Sequence, residues 1–140
     1  MAEIAKSSTG LSGEYFVAAE LYRRGWSVGM TVGNAKAIDL FAEKDGKNIA
    51  IQVKAIFKRK HNTWPMPAEV KKDCYYIFVC LNGDTMALPD FYVASTEEAQ
   101  YALRIYKGRG AVTIASLNST NFLNNWGKLE HAPIGPAPSR

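Results

Sequence analysis

Two short segments of the sequence combine a carboxylate, an amide and an ammonium group within extended, largely apolar chain. Residues 37–43 (AIDLFAE) contain Asp39, and residues 48–57 (NIAIQVKAIF) contain Gln52 and Lys54. Oxygen atoms of Asp39 and Gln52 can hold a hard cation together with water and a phosphate oxygen. An ammonium group at Lys54 can orient a water molecule or neutralise charge on a reacting phosphate. A salt bridge between Asp39 and Lys54, with Gln52 as a neutral neighbour, is the alternative that spacing alone favours, because such short patterns are frequent.

The residues between these segments predict how the two strands pair. Residues 44–47 (KDGK) place Asp-Gly between apolar runs, the strongest short-range signal of a β-hairpin. In that register Asp39 faces Gln52 and Ala37 faces Lys54, so the polar side chains project from one face. The same face carries Phe41 and Ala50, which predicts that it is largely covered. The opposite face is apolar and must be core; it comprises Ile38, Leu40, Ala42, Ile49, Ile51 and Val53.

A helix before these strands contributes a second acid. Ser12 is a suitable N-cap and Gly25 a suitable C′ residue, which predicts a helix over residues 12–24. Glu14 falls on one face of this helix with Leu11, Ala18 and Leu21. An acid in the first turn commonly interacts with the helix dipole. Glu14 is therefore a candidate site residue with a simpler structural explanation.

The remaining pattern predicts alternating strands and helices. Strands are expected at residues 26–32, 91–94 and 111–117, and a strand buried on both faces at 74–81. Turns are expected at residues 33–34 and 82–84, and a loop at 61–73. A capping box that starts at Ser95 predicts a helix to about residue 107, and a short helix is expected from about residue 121. This order predicts a three-layer α/β or α+β domain with a central mixed sheet flanked by helices.

Length and composition fit one domain. The chain has 140 residues, of which 47% are hydrophobic and 21% charged. We expect a domain over residues 1–130 and a disordered tail over 131–140, where three prolines occur. The sequence shows no secretory signal and no apolar run of about 18 residues. Cys74 and Cys80 share one apolar run, which indicates reduced, buried thiols in a cytoplasmic protein rather than a metal site.

Positive charge is concentrated after the second polar strand. The net charge is +4, and the pI is about 9.1. Between residues 54 and 72 the only acid is Glu69, against six basic residues. They are Lys54, Lys58, Arg59, Lys60, Lys71 and Lys72. Such a segment suits a phosphate backbone, and a solvated loop explains it equally well.

The segment from residue 13 to residue 54 resembles the core of the PD-(D/E)XK nuclease superfamily, especially its archaeal Holliday-junction-resolvase-like members. The matching parts are Gly13-Glu14 on the helix, Gly25-Trp26, Ile38-Asp39-Leu40 and Ile51-Gln52-Val53-Lys54. The later run at residues 75–81, followed by residues 89–93, resembles uncharacterised bacterial members. This resemblance implies a restriction-endonuclease-like fold and a phosphodiesterase that acts on DNA with Mg²⁺ or Mn²⁺.

The resemblance also implies roles for individual residues. Asp39 and the carbonyl oxygen of Val53 would be metal ligands, with Glu14 as a further acid near the metal. Gln52 would occupy the position of the usual second acidic ligand, and Lys54 would be the catalytic lysine. Lys58, Arg59 and Lys60 follow Lys54 along the chain, so we expect them to contact DNA phosphates.

Two departures from the family pattern bear on activity. Ile38 stands where a proline usually precedes the aspartate, and Gln52 stands where an acid usually precedes x-K. The Q-x-K form is similar to that of restriction enzymes directed at modified DNA and of some toxin nucleases. An RNase of the same fold and a non-catalytic nucleic-acid-binding module remain alternatives. A homodimer would allow cleavage of two strands, with Trp64, Tyr75 and Tyr76 as candidate surface residues, although core packing explains these residues equally well.

Overall fold

The computed structural model describes residues 2–31 and 38–135. The elements are α1 (Lys6–Arg23), β1 (Ser27–Met30), β2 (Leu40–Lys44), β3 (Lys47–Ile56), a 3₁₀ turn (Arg59–His61), β4 (Thr63–Met66), β5 (Tyr75–Cys80), β6 (Asp90–Ser95), α2 (Thr96–Ala102), β7 (Arg104–Tyr106), β8 (Arg109–Thr113), α3 (Ile114–Leu117) and a second 3₁₀ turn (Trp126–His131). None of the described helices is long and apolar enough to cross a membrane.

A five-stranded mixed sheet organises the chain in the order β1-β2-β3-β5-β6. β3 and β5 run parallel, whereas the other neighbours are antiparallel. One face packs on α1 and on the second 3₁₀ turn. The other face is covered by α2, α3 and a three-stranded sheet in the order β4-β8-β7. The predicted three-layer fold is confirmed.

The hairpin between β2 and β3 has the predicted register. Leu40 pairs with Ile51, and the pairing continues to Lys44 opposite Lys47. Asp45 and Gly46 form the turn with φ values of 50° and 79°. Two positive φ values are what a type I′ turn requires, and this turn matches the twist of the strands.

The predicted core face of the hairpin is correct except at Ile38. Five of its six residues, namely Leu40, Ala42, Ile49, Ile51 and Val53, are buried beneath α1. Ile38 instead packs toward the opposite core cluster, because the chain bends at Asp39 before β2 begins. The polar face of the hairpin, predicted to be largely covered, is covered in part: Asp39 is 7% exposed, whereas Phe41 is 51% exposed. The β1-β2 end of this face lines an open groove of about 570 Å³.

Helix α1 begins six residues earlier than its cap pattern predicted. Ala5 precedes it without a side-chain cap, so Ser12 lies inside the helix. The segment before the helix is held by Glu3, which pairs with Lys58 and His61 at 3.2 and 2.9 Å. Local sequence cannot reveal these long-range contacts. Among the predicted core positions of α1, Glu14, Ala18 and Leu21 are buried, whereas Leu11 is 49% exposed.

The region after β6 departs most from the predicted elements. The capping box at Ser95 is present, but α2 ends at Ala102, and residues 104–113 form the β7–β8 hairpin. Lys107 and Gly108 have φ values of 51° and 76° and make its turn rather than a helix stop. The missed strand β4 joins this hairpin as an edge strand, where Pro65 is tolerated. Tertiary pairing therefore overrides local helix propensity here.

The C-terminal elements also differ from expectation. β8 ends at Thr113, whose side-chain oxygen accepts a hydrogen bond from the backbone N–H of Ser116 and caps α3. The helix expected from about residue 121 is replaced by the 3₁₀ turn that begins at Trp126. Within the predicted tail, Ile134 forms a bridge with Lys47, and the N–H of Gly135 donates to the carbonyl of Gly46. Residues 136–140 lie outside the described part.

Close packing of α1 on β3 occurs at Gly13. A Cβ atom added there would lie 2.7 Å from Cβ of Ala55 and 3.4 Å from Cγ1 of Val53. Gly10, in the same helix, has no neighbour within 4 Å of such an atom. Glycine at position 13 therefore fixes how near the helix approaches the strand that carries Gln52 and Lys54.

These two glycines form a matched pair for a stability measurement. Gly10→Ala should raise the free energy of unfolding by roughly 0.5–1 kcal/mol, because it removes backbone entropy without a clash. Gly13→Ala should lower it by roughly 1–3 kcal/mol, because the added methyl group overpacks the interface. Urea unfolding measures both effects. Equal stabilisation by the two substitutions would show that the contact at Gly13 is not tight.

Candidate active site

Asp39 lies where the pairing of β2 with β3 ends. Its N–H donates to the carbonyl of Ile51 at 3.1 Å, and its Oδ2 accepts the N–H of Val53 at 2.7 Å. Asp39 thus bonds to the residues on both sides of Gln52. The carboxylate is 7% exposed, so its position is set by the end of the ladder rather than by solvent.

Gln52 and Lys54 are adjacent outward positions of β3 on the face opposite α1. In the sheet, Gln52 lies opposite Tyr76 of β5, and Lys54 lies opposite Phe78. The side chains of Gln52 and Lys54 are both half-buried. The predicted alternation of Gln52 and Lys54 is therefore present. Ala37, expected opposite Lys54, lies outside the described residues.

Glu14 is also buried, at 7% exposure, on the face of α1 that packs against the sheet. It follows Gly13, whose close contacts are Ala55 and Val53. Val53 consequently contacts the helix through its side chain and Asp39 through its backbone N–H. Gly13, the residue before the helix acid, and the strand acid Asp39 thus both contact this one residue of β3.

Tyr76 belongs to the same neighbourhood, although the sequence pattern indicated it only for a dimer surface. Burial raises the pKa of its hydroxyl, and the negative charge of Asp39 adds to the rise. The hydroxyl accepts a hydrogen bond of 2.7 Å from the N–H of Lys71. The apolar run of residues 74–81 predicted a buried strand. It did not predict which residues of that strand lie opposite Gln52 and Lys54 of β3.

The donor groups around Val53 suit a hard cation. They are two buried carboxylates, a neutral amide and backbone carbonyl oxygens, which are the ligand types of Mg²⁺. Over residues 2–31 and 38–135, no three His, Cys, Asp or Glu side chains group closely enough to hold a metal. Gln52 replaces the acid that would be the third, so any cation here depends on neutral oxygen ligands as well.

The three basic residues expected to contact DNA lie just after β3, and two of them have partners within the chain. Lys58 pairs with Glu3 at 3.2 Å. Arg59 pairs with Asp90 at 3.1 Å and donates to the Tyr92 hydroxyl at 3.0 Å, an interaction that raises the pKa of Arg59 further. Lys60 is exposed. The first two therefore also have structural roles, which charge counting could not show.

Neither the cysteines nor the aromatic residues considered for a dimer surface form an exposed site. Cys74 and Cys80 are buried thiols without a disulfide, and burial raises the pKa of each. Trp64 and Tyr76 are at most 2% exposed and belong to the core under the small sheet. The core-packing alternative is thus correct for Trp64 and Tyr76, which fill the interior of the chain, whereas Tyr75 is half-buried.

Comparison with solved structures identifies the fold. Hjc, a Holliday junction resolvase from the archaeal hyperthermophile Archaeoglobus fulgidus, is 13% identical with a TM-score of 0.54, over 86% of this chain and 95% of that one. A bacterial homing endonuclease is 11% identical with a TM-score of 0.61, over 90% and 93%. No protein-family model and no curated protein sequence matches the chain.

These two neighbours have restriction-endonuclease-like folds of the PD-(D/E)XK type. The chain therefore has this fold, as its sequence motifs implied. At such low identity the likeness concerns the fold alone. Evidence for the chemistry comes from the residues at the β2–β3 junction.

The bond between Asp39 and Val53 can be tested with two variants that both lack the carboxylate charge. Asp39→Asn retains an oxygen acceptor for the Val53 N–H, whereas Asp39→Ala leaves that buried donor without one. We expect the alanine variant to be less stable than the asparagine variant by roughly 1–3 kcal/mol. Urea unfolding measures the difference. Equal stabilities would show that the bond does not hold the strand end.

Proposed function

We propose that the protein is a divalent-metal-dependent endonuclease that hydrolyses phosphodiester bonds in DNA. The observation that carries this proposal is the buried Asp39 carboxylate, bonded to the Val53 N–H beside Gln52 and Lys54. An acid fixed by a backbone N–H, beside an amide oxygen and an ammonium group, combines cation ligands with a group that can act on a phosphate. The shared fold with two nucleases supports this choice of chemistry.

Asp39, Glu14, the Gln52 amide oxygen and the Val53 carbonyl would hold Mg²⁺ or Mn²⁺. When bound, such a cation supplies Lewis acidity toward a phosphodiester. The chain positions its ligands without it, because the strand ladder and the Val53 N–H orient the Asp39 carboxylate. The packing of Gly13 on Ala55 sets where Glu14 lies. The ligand positions are thus properties of the folded core.

Lys54 would act on the phosphate itself. Its side chain is half-buried on the same face of β3 as Gln52, two residues away, which supports a role for its ammonium group beside the cation ligands. A positive charge in partly desolvated surroundings stabilises negative charge that develops on the phosphate oxygens more strongly than it would in water. Lys54 would also orient the attacking water by hydrogen bonding.

A non-catalytic nucleic-acid-binding module is the second candidate. Gln52 favours it, because the amide removes one negative charge from the cation ligands. The lack of a three-acid cluster among the described residues favours it too. The retention of Asp39, Glu14 and Lys54 together favours the enzyme. An RNase with the same residues is a third candidate, and the substrate assay distinguishes it.

Cleavage of supercoiled plasmid in Mg²⁺ or Mn²⁺ tests the proposal. We expect nicking by the unmodified protein that EDTA abolishes. Asp39→Asn and Lys54→Met should each reduce the rate at least about a hundredfold, since the first removes a charged cation ligand and the second removes the positive charge at the phosphate. Lys6→Met is the matched control, because Lys6 is exposed at the start of α1, and it should cleave normally.

The pattern of results separates the three candidates. Activity that Asp39→Asn and Lys54→Met leave unchanged would place the chemistry elsewhere. Cleavage of transfer RNA without cleavage of plasmid would identify an RNase. Binding of nucleic acid without cleavage of either substrate would favour the non-catalytic module, with Gln52 as its physical reason.

A further inference from the structure

The outward face of the small sheet β4-β8-β7 carries positive charge and no acid. Alternation places Trp64, Met66 and Val112 toward the core. The outward positions are Thr63, Pro65, Arg104, Tyr106, Arg109, Ala111 and Thr113. Two arginines and a tyrosine thus share one face with small or neutral side chains. Lys107, at the turn, adds a third positive charge, with its Nζ 5.5 Å from the Tyr106 ring centre.

The strand register brings these groups together. Arg104 is opposite Ala111, and Tyr106 is opposite Arg109, so the two arginines are diagonal neighbours on one face. Diagonal positions in an antiparallel pair are about 7–8 Å apart. Neither Arg104, Lys107 nor Arg109 has an ion-pair partner within the described ranges. Like charges this close, with no acid among the outward sheet positions, match the spacing of an external polyanion. Glu97 and Glu98 of α2 line a groove together with Arg104.

Arg104 and Tyr106 are prepared for contact with a ligand. Nη1 of Arg104 donates to the carbonyls of Tyr101 and Leu103 at 2.8 and 3.1 Å, which restricts the guanidinium while its other N–H groups remain as donors. Tyr106 is 74% exposed. An exposed aromatic ring between cations is the arrangement on which unpaired bases stack, while the cations contact phosphates.

The hairpin lies on the same side of the main sheet as Gln52 and Lys54. The small sheet covers the face of the main sheet that carries Tyr76 and Phe78. In β3, Gln52 and Lys54 lie opposite these two residues. Gly110 packs against the backbone carbonyls of Met66 and Pro67. The loop that follows donates from the N–H of Lys71 to the hydroxyl of Tyr76. A contact surface on the hairpin is thus linked to the candidate site by one loop.

We infer that Arg104, Tyr106, Lys107 and Arg109 form a second nucleic-acid contact surface, with cations on the phosphates and Tyr106 against an unpaired base. The inference rests on the proposed function for its substrate class, but the binding itself requires no catalysis. Arg104, Tyr106 and Lys107 lie where the sequence pattern predicted a helix, and Arg109 follows the predicted end of that helix. Of the three residues first expected to contact DNA, Lys58 and Arg59 pair with Glu3 and Asp90, and Lys60 is exposed.

Fluorescence anisotropy with a labelled single strand and its duplex, in EDTA and at several salt concentrations, tests the inference. Arg104→Gln/Arg109→Gln should weaken binding about tenfold and lower the salt slope by roughly 0.9 per lost duplex phosphate contact. The control is Lys6→Gln/Arg23→Gln, which removes two exposed charges from α1 and should bind normally. Tyr106→Ser should weaken single-strand binding more than duplex binding.

The outcomes separate this surface from the candidate active site. A selective loss in the hairpin variants supports the surface, whether or not the protein cleaves anything. An equal loss of affinity in the hairpin and control variants would indicate a general charge effect and would overturn the inference. Unchanged affinity in the hairpin variants, or no binding by any form of the protein, would overturn it as well. A changed oligomeric state in sedimentation with unchanged affinity would overturn it in favour of β7 as an edge that pairs with a second copy. Cleavage by a hairpin variant at saturating DNA, but not by Asp39→Asn, would leave the proposed function standing.

Discussion

The hydrogen bond from the Val53 N–H to the Asp39 carboxylate joins the sheet to the candidate chemistry. At 2.7 Å it takes the place of a ladder bond where β2 separates from β3. A carboxylate held in this way has a fixed orientation and further acceptor positions, which a ligand for a cation needs. The two hydrogen bonds of Asp39 go to Ile51 and Val53, the neighbours of Gln52 along β3. Lys54 follows on the same face as Gln52. The orientation of Asp39 therefore depends on the backbone geometry at the end of the strand pair.

That geometry is supported from the other side of the sheet. The close approach of α1 at Gly13 presses the helix onto Ala55 and Val53, so the residue before Glu14 packs on the strand to which Asp39 bonds. The mixed sheet provides the rigidity, because β3 lies at its centre between β2 and β5. Rigid positioning matters in such a site, since displacements of about 1 Å can cost catalysis severely. The open groove and the small sheet lie on the face where a substrate could approach.

Local signals predicted the parts of the fold that local chemistry determines. The Asp45-Gly46 turn fixed the register of β2 on β3, and the capping box at Ser95 began α2 as expected. The alternation of Gln52 and Lys54 followed from strand geometry alone. Long-range contacts decided the rest. The ion pairs of Glu3 extend α1, and the pairing of β4 with β8 converts a predicted helix end into a hairpin. The bend at Asp39, which turns Ile38 to the other core, likewise left no local signal.

Direct titration with Mn²⁺ tests the central claim, that Asp39 and Gln52 share a cation. Isothermal calorimetry on the unmodified protein, Gln52→Glu and Asp39→Asn separates the contributions of the two positions. We expect weak Mn²⁺ binding by the unmodified protein and loss of binding in Asp39→Asn. Gln52→Glu should bind Mn²⁺ more tightly, because a charged ligand replaces a neutral one. Indistinguishable titrations of all three proteins would contradict the claim, because the cation would then bind elsewhere or not at all.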